Sequence, residues 1–186
     1  MYKNKTISLV LPAFNEQINI KKSIEEFLET GVFDEIIVID NNSSDNTAEE
    51  IKKTSATYIL EKKQGYGVAI RTGLKNCTGD YIVMCEPDGT FQANDIHKFL
   101  SYAEQFDCVF GTRTSKSAIA KDAKMQFYLR VGNILVAKFL SYLFFGPTLS
   151  DVGCTFKLIS KNSYKQMENQ LTVIGSELQP EIINKI

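Results

Sequence analysis

Short apolar runs alternate with amphipathic stretches along most of this chain. Thr6–Leu11 (TISLVL) reads as a buried strand that Pro12 should end. Gln17–Glu29 follows at helical spacing, with Ile18, Ile20, Ile24, Phe27 and Leu28 as its apolar stripe. Glu35–Asp40 (EIIVID) is a second buried strand, and Asp45 or Asn46 is placed to cap a helix over Thr47–Thr54. Thr57–Glu61 is a third strand, Val68–Asn76 a helix, Tyr81–Cys85 a fourth strand, Ala93–Gln105 a helix and Asp107–Gly111 a fifth strand. Strands and helices alternating at this spacing predict an α/β fold. Right-handed crossovers would build a mostly parallel sheet covered by helices on both faces.

After Thr112 the pattern changes. Arg113, Lys116, Lys121, Lys124, Arg130 and Lys138 face one acid, Asp122. Met125–Phe145 reads as a long helix, basic at its start and apolar toward its end, stopped by Gly146-Pro147. It is open to three readings: a core helix with a solvated face, a partner-binding helix, or a helix at an anionic membrane surface. Cys154–Ile159 is a sixth strand and Lys161–Gln170 a short helix. Gly175–Ile186 breaks off within what reads as another helix, so the natural protein is expected to be longer.

At 186 residues the expectation is one domain with a sizeable core, residues 1–112 forming one half and 113–186 the other. A net charge of −1 gives no electrostatic case for nucleic acid. The four cysteines show no metal-ligand spacing, and Cys85 and Cys108 fall in apolar runs, which predicts reduced core residues in a cytoplasmic protein. No stretch reaches the roughly 20 apolar residues of a membrane span.

Four predicted strand ends carry polar residues to one edge: Pro12-Ala13-Phe14-Asn15-Glu16, Asp40-Asn41, Glu86 with Asp88, and Gly111-Thr112-Arg113. In a parallel sheet such ends converge on a ligand crevice. The sharpest is Cys85-Glu86-Pro87-Asp88, where an apolar strand stops in two acids about one proline. Two carboxylates so placed suit a divalent cation on phosphate oxygens; the alternative is an acidic surface turn ahead of a helix. Arg113 offers a forked donor for phosphate. Gly65-Tyr66-Gly67 lacks the third glycine of a dinucleotide fingerprint and is accounted for by a tight turn. His97 has no partner at metal-ligand spacing and reads as structural; Asp151 reads equally as a turn former.

Taken together, these segments resemble glycosyltransferase family 2, most closely its dolichyl- or polyprenyl-phosphate sugar transferase branch. Val10-Leu11-Pro12-Ala13-Phe14-Asn15-Glu16 is similar to the family's opening V-[IL]-P-x-[YF]-N-E. Ile37–Thr47 is similar to its V-V-D-[DN]-x-S-x-D-x-T, Gly65–Leu74 to its G-x-G-x-A-x-x-x-G-[LF], and Ser150–Lys157 to its S-D-x-x-[SC]-x-F-[RK]. Glu177–Glu181 is similar to a later acidic motif. The chain departs from the pattern in Glu86-Pro87-Asp88, where D-x-D is usual, in Asn41 for a second aspartate, and in lacking R-x-G-x-S-K.

The resemblance implies a GT-A, Rossmann-like sheet that binds a UDP- or GDP-linked sugar. Pro12, Phe14, Glu16, Asp40 and Asn41 would hold base and ribose, and Gly67 would lie against the donor. Glu86 and Asp88 would hold Mg²⁺ or Mn²⁺, and Arg113 would steady the leaving nucleotide. The reaction implied is an inverting displacement onto a lipid phosphate, supported by Lys124 and Arg130, at the cytoplasmic face of a membrane. A saccharide or protein hydroxyl acceptor, needing Asp151 or Glu177 as base, and a non-catalytic nucleotide-sugar-binding module are the alternatives.

Overall fold

The computed structural model describes residues 2–112, 127–143 and 151–185, with backbone alone at 127–130 and 140. Among the described residues six strands form one sheet: β1 (Ile7–Ala13), β2 (Glu35–Asp40), β3 (Thr57–Leu60), β4 (Tyr81–Met84), β5 (Cys108–Phe110) and β6 (Lys157–Ser160), in the order β3-β2-β1-β4-β6-β5. The first four pair in parallel, and β6 lies antiparallel between β4 and β5. The sheet is thus mostly parallel, as expected, with its sixth strand reversed and inserted rather than added at the edge.

Strand alternation sorts side chains to two faces. Leu9, Leu11, Ile36, Val38, Val83, Phe156 and Leu158 face α1 (Ile20–Glu29), α2 (Thr47–Lys52) and α4 (Ile96–Ala103). Val10, Ile37, Ile39, Ile82, Met84 and Ile159 face α3 (Tyr66–Asn76), α6 (Lys161–Met167) and α7 (Leu178–Lys185). A further helix, α5, spans Phe127–Leu143. Burial on both faces explains why the inner strands read as continuous apolar runs.

Pro12 does not end the first strand; it pairs with Ile39 inside it. Ala13 O accepts from Asn41 N on the β2 side, whereas Val10 O accepts from Cys85 N on the β4 side. Pro12 therefore turns its donorless nitrogen toward β4, which has already stopped, and no ladder bond is lost. The first helix begins three residues later than the apolar stripe suggests, because Asn15 takes a positive φ and residues 17–19 form turns. Ile18, expected in the core, is 84% exposed. The fourth helical stretch opens with a 3-10 turn at Ala93–Asp95 and stops at Ala103.

All four cysteines are free, and Cys77, Cys85 and Cys154 are buried; Cys108, expected in the core, is half-buried. Burial pushes the Cys77 thiol up to about 12 and raises Cys85 as well, so neither is a nucleophile.

Candidate active site

The loops leaving β1 and β2 are stitched together. Asn15 Oδ1 accepts from Ser44 N at 2.9 Å, and Asn15 N donates to Ser43 Oγ at 3.0 Å. Glu16 N donates to Thr47 Oγ1 at 2.8 Å, and Gln17 N to Asp45 Oδ2 at 3.2 Å. Burial works to raise the Asp45 carboxyl, but donors from Thr47 and Gln17 outweigh it and hold it low. Asp45 Oδ1 takes the first free N–H of α2, at Thr47, so it caps that helix while Asn46 occupies the N-cap position without a side-chain bond. Much of the two motifs therefore builds the loops rather than facing a ligand.

Asp40 is buried; its Oδ1 accepts from Ser43 N at 2.9 Å and its Oδ2 from Tyr58 Oη at 3.1 Å. Asn41 donates from Nδ2 to Glu61 O at 3.2 Å and Lys63 O at 2.9 Å, and accepts from Gly65 N at 2.8 Å. An aspartate at this position would meet two carbonyls with no proton to give, which explains the amide. Asn41 thereby fixes the loop that leads into α3.

That loop forms one wall of a cavity of about 280 Å³, lined by Pro12, Ala13, Phe14, Asn41, Gln64, Gly65, Tyr66 and Ala69. Ligand pockets start at about 300 Å³, so the cavity suits one ring system, with the rest of a ligand outside it. Of the residues expected to hold base and ribose, Pro12, Phe14 and Asn41 line it. Glu16, half-buried, instead accepts from Asn19 Nδ2 at 3.0 Å. Gln64, Gly65 and Tyr66 were not among the expected site residues, although an aromatic between two glycines was a signal for them.

Both glycines answer to a neighbouring segment. A Cβ at Gly67 would lie 2.5 Å from Val173 O, and one at Gly65, with φ of 143°, 2.7 Å from Ile174 O. Gly67 N donates to Ile174 O at 2.7 Å, so the amide that would meet a phosphate at the start of α3 is already taken. The segment is itself latched by Glu181, which accepts from Thr172 N at 3.1 Å and Val173 N at 3.2 Å. Burial works to raise Glu181, but those donors outweigh it and hold its pKa below the ordinary 4.5. Glu61, held low first by Thr72 and then by Lys63 N, fixes the other end of the same region.

A folded-state pKa below the unfolded value means the stabilisation is complete above about 4.5 and fades as pH falls through the lower folded values. The melting temperature is expected to hold from neutral pH to about 5 and then drop, and Glu181→Gln should show a smaller drop. Thermal denaturation across that range checks this; an equal drop in the variant removes Glu181 from the latch.

At the end of β4, Cys85 N still reaches Val10 O at 3.2 Å; Pro87 is then buried, Glu86 half-buried and Asp88 exposed. Asp88 Oδ1 accepts from Thr90 N at 2.9 Å across Gly89, whose φ is 76°. Among the described residues no donor takes Asp88 Oδ2, and no cluster of three or more His, Cys, Asp or Glu is present. The open Oδ2 of Asp88, one proline away from a second acid at Glu86, fits Mg²⁺ or Mn²⁺ as these ions bind beside substrate phosphates, rather than within an all-protein cage.

Asp151 is buried, and its Oδ1 accepts from Gly153 N at 3.1 Å, the contact of a turn former; Glu177 and His97 are exposed. Arg113 and Lys124 lie outside the described residues, and Arg130 lies on α5 with only its backbone described. Lys157, unremarked beyond its motif, is fully buried: its Nζ donates to Cys154 O and Gln179 Oε1 and lies 5.6 Å from the Phe110 ring centroid. Among the described residues Thr155 Oγ1 is buried without a hydrogen-bond partner.

Parallel strands β3-β2-β1-β4, a reversed β6, and a ring-sized pocket beside an acid-tipped strand end are features of the GT-A class. The chain belongs to glycosyl transferase family 2, whose model matches residues 8–167. It is 29% identical over 184 residues to the low-salt glycan biosynthesis hexosyltransferase Agl6 of Haloferax volcanii, covering 96% of this chain and 43% of that protein. It is 26% identical over 178 residues to glycosyltransferase AglJ of the same organism, covering 95% of this chain and 56% of that protein. The chain thus spans about half the length of these curated relatives. Glucosyl-3-phosphoglycerate synthase from Mycobacterium tuberculosis, crystallised with Mn²⁺, UDP and glucosyl-3-phosphoglycerate, shares the fold with a TM-score of 0.75 at 16% identity, over 97% of this chain and 64% of that one.

Proposed function

We infer that this chain binds a nucleotide-diphosphate sugar and, within its full protein, transfers the sugar with inversion to a polyprenyl or dolichyl phosphate. The observation that carries the donor half is the adjacency of the pocket at the ends of β1 and β2 to the Glu86-Pro87-Asp88 terminus of β4. Base and ribose occupy the pocket between Phe14 and the Asn41-fixed loop, and the diphosphate extends toward β4. Asp88, with Glu86, would hold Mg²⁺ or Mn²⁺, which when bound supplies Lewis-acid stabilisation to the departing diphosphate. The crystallised complexes of the M. tuberculosis synthase with UDP and Mn²⁺ or Mg²⁺ support this choice of ligand and ion.

The acceptor reading rests on α5. Val131, Leu135, Phe139 and Tyr142 recur at helical spacing and are exposed, Phe139 by 63% and Tyr142 by 80%. Exposed apolar surface of this kind marks an interaction face, and the basic residues Lys116, Lys121, Lys124 and Arg130 precede it in the sequence. Among the described residues no helix is long and apolar enough to cross a membrane, so such a face would lie on a bilayer rather than span it. A lipid phosphate, with a second pKa of about 6, is already anionic at neutral pH and attacks without a base. Lys124 and Arg130 would support its charge. A hydroxyl acceptor would instead require a base such as Asp151 or Glu177.

Calorimetry with UDP and GDP, in Mn²⁺ and in chelator, should show cation-dependent binding. The full-length protein given labelled donors and polyprenyl phosphate should form a lipid-linked product. Product on saccharide acceptors alone would overturn the lipid reading, and no cation-dependent nucleotide binding would overturn the donor reading.

A further inference from the structure

The buried side chains of Lys157 and Gln179 and the half-buried Tyr66 form a hydrogen-bond chain with a fixed direction. Lys157, on β6, is fully buried and donates to Gln179 Oε1; Gln179, on α7, is 1% exposed and donates from Nε2 to Tyr66 Oη at 2.7 Å. An ammonium has hydrogens and no lone pair, so the Gln179 amide must turn its oxygen to Lys157 and its NH₂ to Tyr66. Tyr66 Oη therefore accepts, and its own proton has to point away from Gln179. Among the described residues no protein acceptor receives that proton. Tyr66 lines the pocket, and the negative charge of Glu86, at the end of β4, acts on its hydroxyl.

Resting on the nucleotide reading above, we propose that Tyr66 donates this hydrogen bond to the diphosphate of the nucleotide sugar, and that Gln179 and Lys157 are positioning residues that aim it. The ring of Tyr66 flanks the pocket while its hydroxyl, tied through Gln179 to Lys157 of β6, lies on the side of the sheet where β6 pairs with β4, toward which a base seated in the pocket would send its phosphates. Burial first, and then Glu86, raise the Tyr66 pKa, so the hydroxyl stays protonated and able to donate. β6 and α7 thus reach the donor site through a side chain of α3, without touching the ligand themselves.

Reversing the direction tests this. In Gln179→Glu the carboxylate still accepts from Lys157 but can only accept from Tyr66, so the tyrosine proton turns inward. Tyr66→Phe removes the proton altogether. Each variant is expected to lose about tenfold or more in UDP and GDP affinity with Mn²⁺ by calorimetry, the usual effect of removing one hydrogen bond to a charged group. The double variant should lose no more than either single one. Gln179→Glu should keep or raise the melting temperature, which separates lost aim from lost structure. Uridine monophosphate should show a smaller loss than UDP.

Wild-type affinity in Tyr66→Phe or in Gln179→Glu overturns the proposal while leaving nucleotide binding standing. Equal losses for uridine monophosphate and UDP overturn the diphosphate assignment. A wild-type chain that binds neither UDP nor GDP refutes the nucleotide reading and this one with it.

Discussion

Asp88→Ala is expected to cut cation-dependent nucleotide affinity by at least 100-fold, since even the outer partners of metal ligands are worth about 10–100-fold. The melting temperature should hardly change. Asp88 is exposed, and its one hydrogen bond among the described residues is the turn contact from Thr90 N. Losses at such surface positions stay within about 0.5 kcal/mol. The combination of lost binding and kept stability separates a ligand for the cation from a turn former. Calorimetry with UDP in Mn²⁺ and in chelator, beside a thermal scan, gives both readings. Unchanged affinity would move the cation away from the end of β4.

Phe156→Ala acts in the opposite way. Phe156 is 2% exposed; it stacks on Phe99 at 4.4 Å between centroids and meets Phe91 and Phe27 edge-on at 5.5 and 6.3 Å. Truncating it leaves a cavity where β6 joins the core, at a cost of about 3–5 kcal/mol. For a chain of this size that lowers the melting temperature by roughly 6–20 °C. Denaturant titration is the direct measurement, and a loss under about 1.5 kcal/mol would mean the aromatic cluster closes over the gap. Lys157 is the next residue, so the same change should loosen its contact with Gln179 as a secondary effect.

The strands of the first half were legible because parallel strands buried on both faces must be apolar throughout, and Glu35–Asp40 came out residue for residue. Pro12 misled because its effect depends on which neighbour its nitrogen faces, a property of the ladder rather than of the run. Ile18 misled because a left-handed Asn15 delays the helix, and periodicity does not register φ. The reversal of β6 could not be read, since hydrophobic pattern is blind to strand direction. In the site, Pro12, Phe14 and Asn41 were legible through a family pattern, but Asn41 holds the loop between β3 and α3 through Glu61, Lys63 and Gly65. Gly65 and Gly67 looked like turn glycines; their constraint comes from carbonyls at Val173 and Ile174, which no local window contains. Tyr66 and Gln179 meet across 113 positions of sequence, so their pairing had no local signal either.

The placement of β6 also sets the order in which this protein can be assembled at the ribosome. A nascent chain of 84 residues already holds β1 to β4 and their parallel ladders. β5 is synthesised soon afterwards, yet the strand it pairs with is finished only at Ser160. Until then Cys108–Phe110 has no ladder of its own, and the open side of β4 is an unpaired edge that invites strands from other molecules. Translation slowed between those two points should therefore favour aggregation more than the same delay placed earlier.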